Sequence, residues 1–102
     1  MLPACYDRFQ HIWVVDYEFT PRAGELPAPL CCVAHEVRSG CRLVLRKDTL
    51  GLCVTPPYAV GRASLFVSFV APAELSCHLA LGWALPAYVL DLTCIPHFLH
   101  RV

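Results

Sequence analysis

The chain of 102 residues lacks a long uninterrupted apolar run, although 57 % of its residues are hydrophobic. Its most apolar stretch, residues 63–92, is broken by prolines, a glycine and charged side chains. A membrane-spanning helix needs about 20 consecutive apolar residues, so we expect none. The N-terminal segment MLPACYDRFQ carries Asp7 and Arg8 where a signal peptide has its apolar centre. These features predict a cytoplasmic protein.

The chain also lacks an excess of either charge, since eight Lys and Arg balance eight Asp and Glu. A protein that holds nucleic acid by charge alone carries a strongly basic surface, so any such role here requires a local site. The high apolar content favours a packed core over disorder. We expect one partial domain over residues 1–102, with an N-terminal extension at 1–10 and a divergent tail at 93–102.

Paired-cysteine motifs are absent too. The seven cysteines include no CxxC pair, and none lies at zinc-finger spacing from a histidine. A disulfide framework or a thiol redox site is therefore not predicted. Cys31, Cys32 and Cys77 lie in apolar contexts, which is typical of small buried residues.

Alternating apolar residues and turn signals predict three strands in the first half of the chain, at 11–19, 30–37 and 41–46. Residues 20–29 are rich in proline and form the first connection, and Arg38-Ser39-Gly40 forms a tight turn. These strands form an antiparallel meander. Residues 47–62 show no clean period and are predicted to be mostly loop.

The second half of the chain predicts a β-α-β unit. LFVSFV at 65–70 is a buried strand, and YVLDL at 88–92 is another. Between them a helix begins at Pro72 and ends near Gly82, with Leu75 and Leu79 on one side. We expect an α/β (mixed α+β) fold with a mixed sheet and at least one helix against it.

The stretch WVVDYEF places two acids, Asp16 and Glu18, at the end of an apolar strand. Residues i and i+2 of a strand share a face, so both carboxylates project together and Tyr17 projects oppositely. Their mutual repulsion would be relieved by a shared divalent cation, for which Mg²⁺ or Mn²⁺ suits oxygen ligands. The alternative is the solvated face of an ordinary half-buried strand.

A family resemblance is carried by two long stretches of the sequence and a shorter one between them. The long stretches are WVVDYEFTPRAGELPAPLCCVAHEVRSG and LFVSFVAPAELSCHLALGWALPAYVLDL, and the shorter one is CRLVLRKDTL. They resemble the N-terminal part of the proofreading 3′–5′ exonuclease domain of bacterial and phage DNA polymerase I-like (family A) proteins. This resemblance implies a ribonuclease H-like mixed sheet, here C-terminally incomplete. It also implies hydrolysis of phosphodiester bonds at single-stranded DNA 3′ ends with two Mg²⁺ or Mn²⁺ ions.

The resemblance assigns metal-binding and catalytic roles to Asp16 and Glu18 as the first motif and to Glu74 as the second. Related enzymes more often have Asp at the position of Glu74, and the alternative is an ordinary first-turn acid that interacts favourably with the helix dipole. Asp91 is a secondary metal candidate, with a strand-end cap or a surface aspartate as its alternative. Tyr17 and Phe19 are candidates for stacking on bases, with core packing as the alternative.

The third motif of these exonucleases, a Tyr or His shortly before a final Asp, is not found before Val102. The chain is therefore expected to be a truncated relative with severely reduced metal affinity and activity. His97 and His100 form a weaker candidate pair in the tail TCIPHFLHRV, whose alternative is a frayed end. The competing function is a non-catalytic α+β interaction or assembly module that self-associates through exposed edge strands.

Overall fold

A computed structural model describes residues 4–94 and shows a five-stranded mixed sheet with two α-helices. The strands are β1 His11–Thr20, β2 Ala28–Glu36, β3 Arg42–Arg46, β4 Ser64–Ser68 and β5 Val89–Asp91. The helices are α1 Lys47–Leu52 and α2 Ala71–Leu81, with 3-10 turns at Ala4–Tyr6 and Leu92–Cys94. The predicted α/β class and the mixed sheet are confirmed.

The strands lie in the order β3-β2-β1-β4-β5. β2 is antiparallel to both β1 and β3, which confirms the predicted meander. β4 is parallel to β1 and β5, and α2 connects β4 to β5. The predicted β-α-β unit is therefore present, and β1 lies at the centre of the sheet.

Only the first part of β1 has a strand on both sides. β4 pairs with His11–Val14, whereas β2 pairs with β1 as far as Thr20. Among residues 4–94, the second half of β1 therefore has one edge without a strand partner. The candidate site lies along this free edge.

The two faces of the sheet differ in what covers them. Alternate β1 residues Trp13, Val15 and Tyr17 form the main core with side chains from both helices, including Leu50 and Cys77. We call the opposite side the open face, because no α-helix of residues 4–94 packs on it and its cover consists of the two 3-10 turns, the segment at Phe9 and Tyr88. Its smaller buried cluster consists of Phe9, Ile12, Leu65 and Val67.

The prediction of a loop over residues 47–62 is wrong in its first six residues, which form α1. This helix buries only Leu50, so its sequence shows no repeating apolar period from which a helix could be predicted. Of the two leucines predicted to share one side of α2, Leu75 packs against the main core and Leu79 does not. Leu79 is 51 % exposed, whereas Glu74, Cys77 and His78 face inward.

α2 begins and ends as its sequence predicts. Pro72 lies in the first turn, where its missing N–H costs nothing. Gly82 ends the helix with φ of 74°, a conformation that favours glycine, and its N–H reaches the carbonyls of His78 and Leu79. Within residues 4–94, neither helix has the length and apolar character needed to cross a membrane.

Candidate carboxylate site

Glu74 occupies the free edge of β1. α2 starts three residues after β4 ends, which brings its first turn beside the unpartnered part of β1. The Glu74 Oε2 atom accepts a hydrogen bond of 3.1 Å from the backbone N–H of Tyr17. The side chain is only 5 % exposed. Glu74 therefore supplies the acceptor that a longer β4 would have offered to this strand.

The charge of Glu74 is disfavoured by its surroundings. Burial raises the pKa of this carboxyl, and the nearby charges of Asp16 and Glu18 raise it further. The hydrogen bond from the N–H of Tyr17 lowers it only in part, so the resulting pKa is about 7. Glu74 is thus poised to gain or lose a proton near neutral pH.

Asp16 and Glu18 project together from the open face and are both exposed, whereas Tyr17 between them is buried on the helix side. This confirms the predicted arrangement of the three side chains. The two acids act on the charge of Glu74. However, among residues 4–94 no three or more His, Cys, Asp or Glu side chains lie close enough together to hold a metal ion. The three carboxylates share an edge without forming a closed ligand set.

Asp91 is a strand-end residue. It pairs with Ser68 at the end of β5, and β4 separates it from β1. Two strand spacings correspond to about 10 Å. Its Oδ1 accepts hydrogen bonds from the Thr93 hydroxyl at 2.6 Å and the Thr93 N–H at 2.9 Å, and these bonds lower its pKa. The geometry matches the strand-end cap that was its alternative role.

Tyr17 belongs to a buried hydrogen-bond chain that the sequence did not predict. Its hydroxyl lies 2.6 Å from that of Tyr58, which lies 2.6 Å from Nε2 of His78. His78 Nδ1 donates to the carbonyl of Ala84 at 2.9 Å, because a carbonyl only accepts. Nε2 of the neutral ring is then the acceptor, so Tyr58 donates to His78 and Tyr17 donates to Tyr58. Burial lowers the pKa of His78, which favours this neutral form.

Tyr17, the residue between the two acids, is held by hydrogen bonds at both its backbone and its hydroxyl. α2 holds the backbone of Tyr17 through Glu74 and its hydroxyl through His78 and Tyr58. Glu74 and His78 are four residues apart and therefore share one helix face. That spacing was the available sequence signal for His78. Tyr58 gave none, because it lies in an irregular segment.

The two aromatic candidates for base stacking differ. The ring of Tyr17 is 3 % exposed and lies in the core, so it has no face for a base and the stacking role does not fit it. Phe19 is half-buried and lines an open groove of about 320 Å³. This groove lies between the β1–β2 connection and α2, and its lining also includes Arg22, Ala73 and Ser76.

Glu36 is a second buried carboxylate with the opposite behaviour. It is 2 % exposed at the end of β2. It accepts hydrogen bonds from the backbone N–H groups of Ile12, Arg38 and Ser39 at 2.7–3.1 Å. Burial alone would raise its pKa, but these three bonds outweigh it and lower the pKa to about 2. Glu36 is therefore a carboxylate whose negative charge is stabilised by hydrogen bonds within the fold, unlike that of Glu74.

Comparison of the chain with family models, with curated proteins and with solved structures found no match. The candidate pair His97 and His100 lies outside the described residues. The geometry around Glu74 is therefore the basis for assigning a function.

Proposed function

We propose that the chain is a metal-dependent 3′–5′ exonuclease of the ribonuclease H-like, proofreading type that acts on single-stranded DNA ends. The observation that carries the proposal is the buried Glu74, held on the N–H of Tyr17 under the influence of two exposed acids. A meander followed by β-α-β is the sheet that the family resemblance implies, which supports the fold assignment.

The donor chemistry fits Mg²⁺ or Mn²⁺, because Asp16, Glu18 and Glu74 offer only carboxylate oxygens. Asp16 and Glu18 are exposed strand residues whose side chains are free to change rotamer. One oxygen of Glu74 is used by Tyr17, which leaves the other available. A bound cation would neutralise the carboxylates and polarise a phosphodiester oxygen.

The proposed substrate end lies in the groove beside Phe19. Phe19 directly follows Glu18 and Ala73 directly precedes Glu74, so sequence neighbours of two of the acids line the groove. The Phe19 side chain packs on the main core side of β1, whereas Glu18 projects from the open face, so a bound strand would have to pass around the edge of β1 to reach all three carboxylates. Phe19 would stack on a base, and Arg22 carries a cation for the phosphate backbone. Arg22 donates from Nε to the carbonyl of Leu26 at 3.0 Å, which holds its head in the groove wall.

The first test is calorimetric titration of Mn²⁺ and Mg²⁺ into the wild type, Asp16→Asn and the matched surface control Asp48→Asn. We expect wild-type binding that is weakened about tenfold or more in Asp16→Asn and unchanged in Asp48→Asn. Because the pKa of Glu74 is about 7, Mn²⁺ affinity should fall by up to about tenfold per pH unit below pH 7 and level off above it. Absence of binding to the wild type would exclude the cation site.

A labelled single-stranded oligonucleotide with Mn²⁺ tests the activity itself. Shortening from the 3′ end by the wild type, with none by Asp16→Asn, supports the proposal. Phe19→Ala should weaken oligonucleotide binding while leaving Mn²⁺ binding unchanged. A chain that binds Mn²⁺ but leaves the oligonucleotide intact would be a cation-binding protein without nuclease activity.

The second candidate function is a non-catalytic interaction or assembly module. The observation that favours it is the open face, where Val14 and Val44 are 40 % and 56 % exposed. The outer edge of β3 is also without a strand partner within residues 4–94. Exposed strand edges and apolar sheet faces both favour association with other chains.

A further inference from the structure

The open face carries its charges in separate columns. The register of β1, β2 and β3 forms three rows across this face, each read in strand order. The rows are Glu18–Cys31–Arg46, Asp16–Val33–Val44 and Val14–His35–Arg42. Acids therefore lie on β1, arginines lie on β3, and the side chains between them are mostly apolar.

This pattern is complementary to itself. We propose that a second copy of the chain packs on the open face, about a two-fold axis that runs parallel to β2. Such an axis places β1 of each copy over β3 of the other, so the contact is isologous. Glu18 then faces Arg46 of the second copy, and Val33 lies at the axis.

The Arg46 side chain is long enough to span packed sheets, whose spacing is about 10 Å. In the neighbouring row, Asp16 faces Val44 of the second copy and lies within reach of the same arginine column. The exposed Val14 and Val44 side chains become covered in this arrangement. Opposite charges and apolar area thus support the same orientation.

Other self-associations bring like charges together. An axis at right angles to the strands would place β3 on β3 and Arg42 against Arg46. Antiparallel pairing of two β3 edges centred on Val44 would also set Arg42 opposite Arg46, which is destabilising. The face is therefore a better contact than this edge, and charged edge residues protect such a strand from pairing.

The dimer would cover Asp16 and Glu18, so it competes with a cation at the candidate site. It does not depend on nuclease activity, and it can form whether or not the chain cleaves DNA. Contacts between exposed charges are screened by salt, so we expect dissociation as ionic strength rises.

The test is sedimentation velocity over a concentration series at about 50 mM and about 500 mM NaCl. We expect a wild-type dimer at low salt that dissociates at high salt. Glu18→Arg and Arg46→Glu should each weaken dimerisation about tenfold or more, and the double swap should restore it. The restored dimer should show the same salt dependence as the wild type.

Matched controls make the same charge changes away from the open face. Glu25→Arg and Lys47→Glu are exposed and change the net charge by the same amounts, so they should leave the dimer intact. Far-UV circular dichroism of every variant reports folding separately. A wild type that stays monomeric at low salt, or single swaps that dimerise as well as the wild type, would overturn the inference.

Discussion

Glu74 and Tyr17 are 57 residues apart, yet the carboxylate of one accepts a 3.1 Å hydrogen bond from the backbone N–H of the other. This bond completes the edge of β1 where β4 has ended. It also holds a carboxyl whose pKa is raised by burial and raised further by two exposed acids, Asp16 and Glu18. Glu74 therefore both completes the hydrogen bonding of β1 and carries a charge that its surroundings disfavour.

Substitution Glu74→Gln should stabilise the protein at pH 8 by up to about 3 kcal/mol, because the amide still accepts from Tyr17 without carrying a charge. The pKa of Glu74 is about 7 in the folded protein and 4.5 in its ordinary, unperturbed state, so the wild type loses stability as pH rises between these two values. The two proteins should be equally stable near pH 4. Urea denaturation at several pH values measures the difference.

The control for this prediction is Glu25→Gln, an exposed acid that should give no such pH-dependent difference. His78 has a lowered pKa, so it removes stability as pH falls below about 6.5 in both proteins. Taking the difference between variant and wild type cancels that contribution. A difference that does not change between pH 4 and pH 8 would contradict the assigned environment of Glu74.

Substitution Tyr58→Phe should destabilise the fold by about 2–3 kcal/mol. It leaves the buried Tyr17 hydroxyl without its acceptor and Nε2 of His78 without its donor. The measurement is the free energy of unfolding in urea at pH 8, where His78 is neutral. The control Tyr6→Phe changes a half-buried tyrosine on the open face and should cost much less. Equal effects of the two substitutions would argue against the hydrogen-bond chain.

Substitution Glu36→Gln should destabilise the protein by about 3 kcal/mol at pH 7. Both carboxylate oxygens of Glu36 accept from backbone N–H groups, and the amide nitrogen of Gln would face a donor. Since the folded pKa is about 2, wild-type stability should fall as pH drops from 4.5 towards 2. Acid titration followed by circular dichroism should show that this loss is missing from Glu36→Gln. Asp48→Asn, with an exposed acid, should retain the wild-type acid transition.

The sheet could be predicted from the sequence because its strands follow simple rules. Alternation fixed the faces of Val15, Asp16 and Tyr17, and a Pro and a Gly marked the two ends of α2. At most strand ends, the observed bound differs from the predicted bound by one or two residues. These features depend on local geometry, which a single sequence contains.

The missed features depend on tertiary contacts. The inner face of α2 carries Glu74 and His78, whose burial is made favourable by Tyr17 and Tyr58 from distant segments. A hydrophobic pattern assigns polar residues to the solvent side, so it grouped Leu75 with Leu79, of which Leu79 is exposed, and gave no sign that Glu74 and His78 are buried. Glu74 was identified through its position after β4, but its hydrogen bond to Tyr17 could not be foreseen.

Two backbone N–H groups of β1 each donate a hydrogen bond to a different buried carboxylate. Ile12 N–H binds Glu36, whose pKa is about 2, and Tyr17 N–H binds Glu74, whose pKa is about 7. Two nuclear magnetic resonance signals from one strand would therefore report two proton equilibria about five pH units apart. Tyr17 would show the protonation of Glu74 without any label, and Ile12 would serve as an internal reference above pH 5.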